Sequence, residues 1–255
     1  MKKHKICKIL LVILAIFLCV AFYELLGICV AYKKQPEVSN TTKKETKNGS
    51  WNECSENTER AVIIEKNPEA LLQRVRLIKN AKKEIILSTF AFQSDESGKL
   101  ILGALHDAAD RGVHIRLLVD GMESWIDMEG NPYFYGLSSH ENVEIKLYNK
   151  ANPLKPWKIM GRMHDKYLIA DGKRYILGGR NTYNYFLGDF PGHKNYDRDV
   201  LVVCDEPEKD NSVNQLLEYF ETIWEQEDSD YFHDNKKLAN RKSVKNAVLE
   251  LQNGY

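Results

Sequence analysis

Short apolar runs that alternate with amphipathic stretches constrain the fold of this chain more than any other feature. Residues 84–92 (EIILSTFAF) and 113–120 (VHIRLLVD) have the length of strands and predict two buried strands. Each is preceded by a stretch, residues 67–78 and residues 97–108, whose apolar side chains recur at helical spacing. Because crossovers between parallel strands are right-handed and short, this order predicts an α/β fold: a mostly parallel mixed sheet with helices on both faces.

Local signals place the ends of these elements and add further ones. Asn67 and Pro68 predict a helix start with Asn67 as the cap, and Gly112 predicts a helix end. Asp171 and Gly172 predict a tight hairpin turn. Further elements are predicted as strands at residues 143–148, 163–170, 174–177 and 199–204, and as a helix at residues 213–224. Loops are predicted at residues 121–140 and 152–161.

A long apolar segment lies near the N terminus. Residues 9–31 are almost wholly apolar, with Glu24 as their one charge, and at about 1.5 Å per residue they can cross a hydrocarbon core. Lys2, Lys3 and Lys5 precede them, so the positive-inside rule predicts a single-pass membrane protein with a cytoplasmic N terminus and an extracytoplasmic remainder. The alternative is a cleaved signal peptide, and the length of the run favours an uncleaved anchor.

Composition divides the chain into four parts. Residues 1–31 are predicted to be a membrane anchor, and residues 32–60 are polar and predicted to be a flexible linker. The folded domain is expected at residues 61–227. Residues 228–255 are a polar C-terminal extension for which the sequence predicts no structure.

Charge and cysteine content narrow the classes of site. The chain has 36 Lys and Arg and 36 Asp and Glu, so it has no net charge to attract nucleic acid or anionic lipid as a whole. Any phosphate binding must come from a local site. Cys54 and Cys204, the two cysteines outside the apolar segment, favour unpaired thiols over a disulfide framework. No cluster of Cys and His has zinc-ligand spacing, so we expect no metal and no other cofactor.

Two polar residues share one face of a predicted strand. Because side chains alternate along residues 163–170, His164 and Lys166 point the same way, where a buried face would require partners for both. The predicted hairpin returns to Gly178, Gly179 and Asn181. Glycines let a phosphate approach the backbone, and an asparagine amide can donate to a phosphate oxygen. The pattern therefore predicts a phosphate site.

The spacing of these residues resembles the active-site motif of the phospholipase D superfamily. H-x-K-x4-D at residues 164–171 is followed, after six residues, by G-G-x-N at residues 178–181, and both parts match as a unit. Residues 196–200 (YDRDV) are similar to the acidic strand entry of bacterial cardiolipin-synthase-like members. The resemblance covers residues 61–224.

This resemblance implies metal-free phosphodiester chemistry. In the family, a histidine attacks phosphorus to form a phosphohistidine, and a second histidine protonates the leaving alcohol. Lysines and asparagines neutralise the charge on the phosphoryl oxygens. Carried over to this chain, His164 is the nucleophile or the general acid and base. Lys166, Gly179 and Asn181 bind the substrate phosphate.

The remaining candidates are less closely tied to the reaction. Asp171 completes the catalytic motif, although its place in a hairpin turn favours support of the fold. Asp199 is the candidate for a carboxylate that orients a histidine. Histidines without a motif around them are expected to lie at the surface or to be satisfied by neighbours: His106, His114, His140, His193 and His233. Aromatic residues that flank the motif either pack or line a pocket: Trp157, Tyr183, Tyr185 and Phe186.

The chain contains one copy of the motif, whereas in-line displacement requires groups on both sides of phosphorus. Two explanations stay open: a homodimer that pairs two copies of His164 across a two-fold axis, or one half of a two-motif enzyme. The favoured function is a membrane-anchored phospholipase D-like enzyme acting on phospholipid head groups, by hydrolysis or by cardiolipin-synthase-like transfer. The alternatives are a dimeric nuclease-type phosphodiesterase and an inactive half-domain. Phospholipid and membrane are the expected partners, with nucleic acid less favoured.

Overall fold

A computed structural model describes residues 2–33, 38–48, 59–205, 211–233 and 237–254. The chain forms two units. The first comprises Met1–Ser55 with Ala151–Arg162, and the second comprises Glu56–Lys150 with Met163–Tyr255. Residues 151–162, which lie within the domain predicted at residues 61–227, belong to the first unit.

The first unit is built from helices. Helix α1 (Lys2–Lys33) contains the one helix segment among the described residues, Lys5–Lys33, that is long and apolar enough to cross a membrane. Helix α2 (Asn40–Asn48) lies within the predicted linker, so that part of the linker is helical rather than irregular. The rest of the linker falls largely outside the described residues. Within residues 151–162, a short 3₁₀ turn (Pro156–Lys158) interrupts the predicted loop.

The second unit is organised around one sheet, which has eight strands among the described residues. The strands are β1 (Arg60–Ile64), β2 (Glu84–Thr89), β3 (His114–Asp120), β4 (Val143–Tyr148), β5 (Lys166–Ala170), β6 (Arg174–Gly178), β7 (Asp199–Val203) and β8 (Ser229–Tyr231). Their order is β1-β7-β6-β5-β2-β3-β4-β8. The helices are α3 (Asn67–Asn80), α4 (Glu96–Asp110), α5 (Gly121–Asp127), α6 (Pro132–Ser138), α7 (Ser212–Trp224) and α8 (Lys242–Asn253).

The predicted mixed α/β sheet with helices on both faces is confirmed, but less of it is parallel than expected. Only the β2–β3 and β3–β4 pairs are parallel in the described part. These are the strands joined by helical crossovers. The hairpin β5–β6 and the returning strands β7 and β1 add antiparallel pairs, as does β8 at the far edge. The antiparallel strand β5 lies directly against β2.

A separate apolar core fills each side of the sheet. On one side, Leu168 and Ile176 of the sheet pack in the same core as residues of α3, α4, α6 and α8. On the other side, Tyr167 and Tyr175 pack in the same core as Phe220 and Trp224 of α7. Since neighbouring residues of β5 enter opposite cores, the alternation predicted for residues 163–170 is observed from Lys166 onwards.

The loop predicted at residues 121–140 is instead two short helices. Asp120 ends β3 and caps α5 by accepting the backbone N–H groups of Met122 and Glu123. Asn131 caps α6, and Pro132 occupies its first turn. The loop was predicted because Asn followed by Pro often interrupts regular structure. The same pair also begins helices, with Asn as the cap and Pro in the first turn.

Other differences concern the ends of elements. Asn67 is the first residue of α3 rather than its cap, because its side chain donates to the Asn195 carbonyl and accepts from Arg180. Strand β1 was not expected. Beyond residue 228, where the sequence predicts no element, β8 extends the sheet and α8 packs in the core beside α4 and α6. Cys204 is a buried free thiol, whereas Cys54 lies outside the described residues.

Candidate active site

The predicted site residues converge where four strands begin or end at one edge of the sheet. Strand β5 begins at Lys166, which lies opposite Thr89 at the end of β2. Strand β6 ends at Gly178, opposite the first residue of β7, Asp199. Antiparallel pairing thus brings together residues that are far apart in the sequence.

His164 lies in the extended segment before β5, and its side chain is exposed. The segment is fixed by Met163, whose N–H donates to the Asp120 carboxylate at 3.0 Å. The imidazole meets the ring of Phe90 edge to face, with 4.6 Å between ring centroids. A phosphate group in solvent therefore has access to a histidine whose backbone is held in place.

Lys166 is 5% exposed, and its ammonium faces the same aromatic ring as the imidazole, 5.2 Å from the centroid of Phe90. Its hydrogen bond goes to the backbone carbonyl of His164 at 2.7 Å, and no carboxylate of the described residues accepts from it. Burial lowers the pKa of Lys166, although Asp165 and Asp197 act in the opposite direction. An ammonium has three donors, so two are left for a ligand.

Asn181 is buried beside the end of β2. Its Oδ1 accepts the backbone N–H of Ala91 at 3.3 Å. Since a backbone N–H can only donate, the amide orientation follows, and Nδ2 is a donor that also serves the Tyr183 hydroxyl oxygen. Burial raises the pKa of the nearby Tyr183 hydroxyl, and the Asn181 amide partly offsets that effect.

Gly178 and Gly179 lie against two carboxylates. A Cβ at Gly178 would overlap the Asp199 carboxylate, and a Cβ at Gly179 would overlap that of Asp197. Asp197 is also close enough to favour the charged form of Lys166. The glycines therefore make room for acidic side chains. Asp197 was missed by sequence reasoning, which chose its neighbour in the run YDRDV.

Asp171 lies at the other end of β5, away from the site. Its carboxylate accepts the backbone N–H groups of Lys82, Lys83 and Glu84 at 2.7–3.1 Å. Its φ of 55° is in the left-handed region, as the hairpin turn with Gly172 requires. These contacts tie the hairpin to the start of β2 and support the structural role that the turn position favoured, while a catalytic role of Asp171 stays a prediction.

Asp199 is buried between two arginines. Its carboxylate pairs with Arg74 at 2.9 Å and with Arg180 at 3.2 Å. Arg180 also donates to the carbonyls of Ile64 and Glu65. The partners of Asp199 that the structure shows are thus arginines, and the role of orienting a histidine stays a prediction. Through these arginines, Asp199 holds together α3, β1 and the motif.

The surroundings of the site are mixed in charge. A cleft of about 680 Å³ beside Asp197 is lined by Lys66 and Arg198 as well as by carboxylates. On another side, Asp127 and Glu123 lie close enough to raise the pKa of Tyr183. Burial raises the pKa of Asp127 itself. A surface of this kind does not resemble the continuous basic groove that a polyanion prefers.

The other candidates lie elsewhere. The histidines that have no motif around them each contact a neighbouring side chain. His106 and His140 contact Asp110, His114 contacts Glu144, His233 contacts Glu129, and His193 lies against Tyr185.

The aromatic residues that follow the motif, Tyr183, Tyr185 and Phe186, pack on one another. Among the described residues, no group of three or more His, Cys, Asp or Glu could hold a metal ion.

Phe90 and Asp120 are further site residues that sequence reasoning missed. Both follow or end parallel strands, at the carboxyl edge where ligands bind in α/β sheets. The position of both residues at the carboxyl ends of predicted strands could have identified them from the sequence.

A family model and curated relatives match this chain. The family described as cardiolipin synthase, PLD-like domain, matches residues 74–224. Cardiolipin synthase C of Escherichia coli K12 is 30% identical over 154 residues, which cover 55% of this chain and 31% of that protein. The chain spans 28–38% of the length of the first curated relatives that it matches.

Solved structures share the fold. NucT from Helicobacter pylori matches with a TM-score of 0.52 and 16% identity, over 68% of this chain and 99% of that one. Phosphatidylserine synthase of Haemophilus influenzae matches with a TM-score of 0.55 and 19% identity, over 84% of this chain and 47% of that one. At these identities the likeness concerns the fold alone.

Proposed function

The chain belongs to the phospholipase D superfamily, and from that premise we propose that it is a membrane-anchored phosphodiesterase acting on phospholipid head groups. The observation that carries the proposal is the exposed His164 beside a buried Lys166 ammonium with unused donors. The imidazole can attack the phosphorus of a phosphodiester, and the unused N–H donors of the ammonium can bind its oxygens. The reaction is hydrolysis when water accepts the phosphatidyl group and transfer when an alcohol accepts it.

The reaction is proposed to begin with His164. A ring nitrogen attacks the phosphorus, the bond from phosphorus to the head-group oxygen breaks, and a phosphohistidine forms. A second histidine donates the proton that the leaving alcohol needs, and later takes one from water or from an acceptor alcohol. The edge-to-face contact with Phe90 supports the orientation of the imidazole.

Two donors are proposed to hold the phosphoryl oxygens. The Lys166 ammonium supplies positive charge from a buried position, where electrostatic stabilisation is strong because water is excluded. The Nδ2 of Asn181 supplies a neutral donor. The backbone of Gly179, whose Cβ position is taken by the Asp197 carboxylate, is proposed as a further contact to the phosphate. Asp197 lies beside this set, and with Asp165 it acts against the lowering of the pKa of Lys166 by burial.

The second histidine must come from another copy of the motif. Either a second copy of this chain pairs its His164 with the first across a two-fold axis, or a separate motif-bearing half completes the site. If a dimer forms, specific activity will rise with chain concentration until dimerisation is complete.

The preference for lipid over nucleic acid rests on charge and on the N-terminal helix. The site is bordered by Glu123 and Asp127, which would repel a polyanion. Helix α1 has the length and composition of a single membrane span, and the lysines before it favour a cytoplasmic N terminus. The domain would then face phospholipid on the extracytoplasmic side.

The test is turnover by the full chain in vesicles of phosphatidylcholine and phosphatidylglycerol, run in parallel with a DNA substrate. We expect head-group release, and a loss on the order of 10³-fold or more in His164→Ala because the nucleophile is gone. The matched control is His114→Ala, which removes a partly exposed histidine paired with Glu144. It should retain full activity.

Three outcomes would contradict the proposal. Cleavage of DNA without lipid turnover would favour a nuclease. Lipid turnover that survives His164→Ala would place the chemistry elsewhere. An inactive chain at every concentration would indicate a half-domain that needs a different partner.

A further inference from the structure

The loop formed by residues 151–162, between β4 and β5, is placed against the N-terminal helix. We propose that this 151–162 loop docks on the outer interface of the bilayer and inserts Leu154, Trp157 and Met160 among phospholipid molecules. The inference rests on the membrane anchor of the proposed function and concerns a surface that the catalytic site does not require.

Close packing joins the loop to helix α1 within the first unit. The Tyr23 hydroxyl donates to the carbonyl of Leu154 at 2.9 Å. Gly27 lies one turn further along the helix, and a Cβ there would overlap the ring of Pro156. A proline ring cannot swing aside, so the contact requires glycine at this position. The loop therefore packs on helix α1 at one position along its length, between Tyr23 and Gly27.

This position on helix α1 lies in the outer half of the bilayer, with Gly27 near the boundary between acyl chains and head groups. Gly27 precedes the last residue of α1, Lys33, by six residues, or about 9 Å at 1.5 Å per residue. Tyr23 precedes it by ten residues, or about 15 Å. If the span Lys5–Lys33 is centred on residue 19 in a hydrocarbon layer about 30 Å thick, the layer ends near residue 29. Gly27 then lies about 3 Å inside the outer boundary and Tyr23 about 9 Å inside it.

The side chains of the loop suit that environment. Leu154, Trp157 and Met160 are 79%, 45% and 51% exposed, although they are large and apolar. Lys155 lies between them and is exposed. Tryptophan is enriched at membrane interfaces, and a lysine beside it favours anionic head groups. Three exposed apolar side chains in seven residues are costly in water but favourable at a lipid surface.

Glu24 lies on the same helical face as Gly27, and both are less exposed than most of α1. A carboxylate is costly in lipid. Partial burial at the face that carries Gly27 reduces its exposure to the acyl chains. The 151–162 loop also ends two residues before His164. Docking would therefore restrain the segment that carries the proposed nucleophile.

The test uses the full chain in vesicles of phosphatidylcholine and phosphatidylglycerol whose acyl chains are brominated near the carbonyl end. Bromine quenches tryptophan fluorescence on contact. We expect quenching in the unmodified chain and loss of most of it in Trp157→Phe. The control Trp125→Phe removes an exposed tryptophan of α5 and should leave the quenching in place.

A second pair of variants tests the packing on α1. Gly27→Leu keeps the helix apolar but blocks the approach of Pro156, so quenching of Trp157 should fall. Cys29→Leu adds the same side chain on the opposite helical face and should leave quenching unchanged. Equal quenching in the unmodified chain and in Trp157→Phe would overturn the proposal, as would an unchanged signal in Gly27→Leu.

Flotation of the same vesicles separates this inference from the proposed function. A chain that does not float contradicts the membrane anchor on which the inference rests. A chain that floats without quenching at Trp157 contradicts the loop alone. Quenching at Trp157 without head-group release would uphold the loop and contradict the lipid enzyme.

Discussion

Lys166 is held in a state that is unfavourable for folding. Its ammonium is buried, and its hydrogen bond goes to one neutral carbonyl. Burial lowers its pKa, which means that the folded protein disfavours the charged form relative to the unfolded chain. A structural lysine would have a carboxylate partner within hydrogen-bond distance. Buried donors without protein acceptors are typical of functional sites, where residues needed for activity lower the stability of the fold.

Lys166→Met should therefore abolish turnover while raising the free energy of unfolding by about 0.5–2 kcal/mol. The sign follows from linkage. The cost of the charged lysine is present below its lowered folded pKa and disappears as pH rises to the unfolded value near 10.4. Urea unfolding of both proteins at several pH values measures the difference, which should shrink at alkaline pH.

Lys173→Met is the matched control for this measurement, because Lys173 is exposed on the neighbouring hairpin. It should change neither turnover nor stability. A destabilised Lys166→Met protein would instead indicate that the ammonium stabilises the fold.

At the scale of elements, the hairpin β5–β6 could be predicted because its signals are local. Asp171 and Gly172 both have positive φ, as the type of turn expected from Asp-Gly requires. What the sequence did not reveal is the long-range role of Asp171. Its carboxylate accepts from the residues that begin β2, which are nearly ninety positions away in the chain.

Asp171→Ala should lower the free energy of unfolding by about 2–4 kcal/mol, because three backbone N–H groups lose a charged acceptor and alanine is strained at this φ. Turnover per folded molecule should persist. Urea unfolding and an active-site titration at low temperature measure the two quantities. Asp171→Asn keeps an acceptor oxygen and tolerates the backbone, so it should cost less. Unchanged stability with lost turnover would support a catalytic role for Asp171.

Elements were predicted less well where a local motif has two structural meanings or where their position depends on residues far away in the sequence. Helices α5 and α6 were missed because Asn-Pro both ends and begins helices, and the cap Asp120 was assigned to a strand. The parallel share of the sheet was overestimated, because the pattern of residues in β5–β7 does not reveal which strand they lie beside. Asp199 was chosen over Asp197 for the same reason. Pairing of Asp199 with Arg74 depends on contacts between distant elements.

At the scale of the whole molecule, the proposed site is joined to an N-terminal helix that is long and apolar enough to cross a membrane. The chain has no net charge, so attraction to a phosphate depends on Lys166 and the donors around it rather than on an overall field. One copy of the motif supplies one histidine, and the opposite side of the phosphorus needs another. A two-fold dimer would make both copies of His164 equivalent, so each could serve as the nucleophile.

The central claim, that phosphodiester chemistry proceeds through His164, is tested most directly by mass spectrometry of the peptide that contains this residue. The full chain is mixed with phosphatidylglycerol vesicles and quenched at alkaline pH, where phosphohistidine survives. The account predicts that a fraction of the peptide carries a phosphatidyl group on the imidazole, and that His164→Ala carries none. Phospholipid turnover with an unmodified His164 peptide, or with the adduct on another residue, would contradict it.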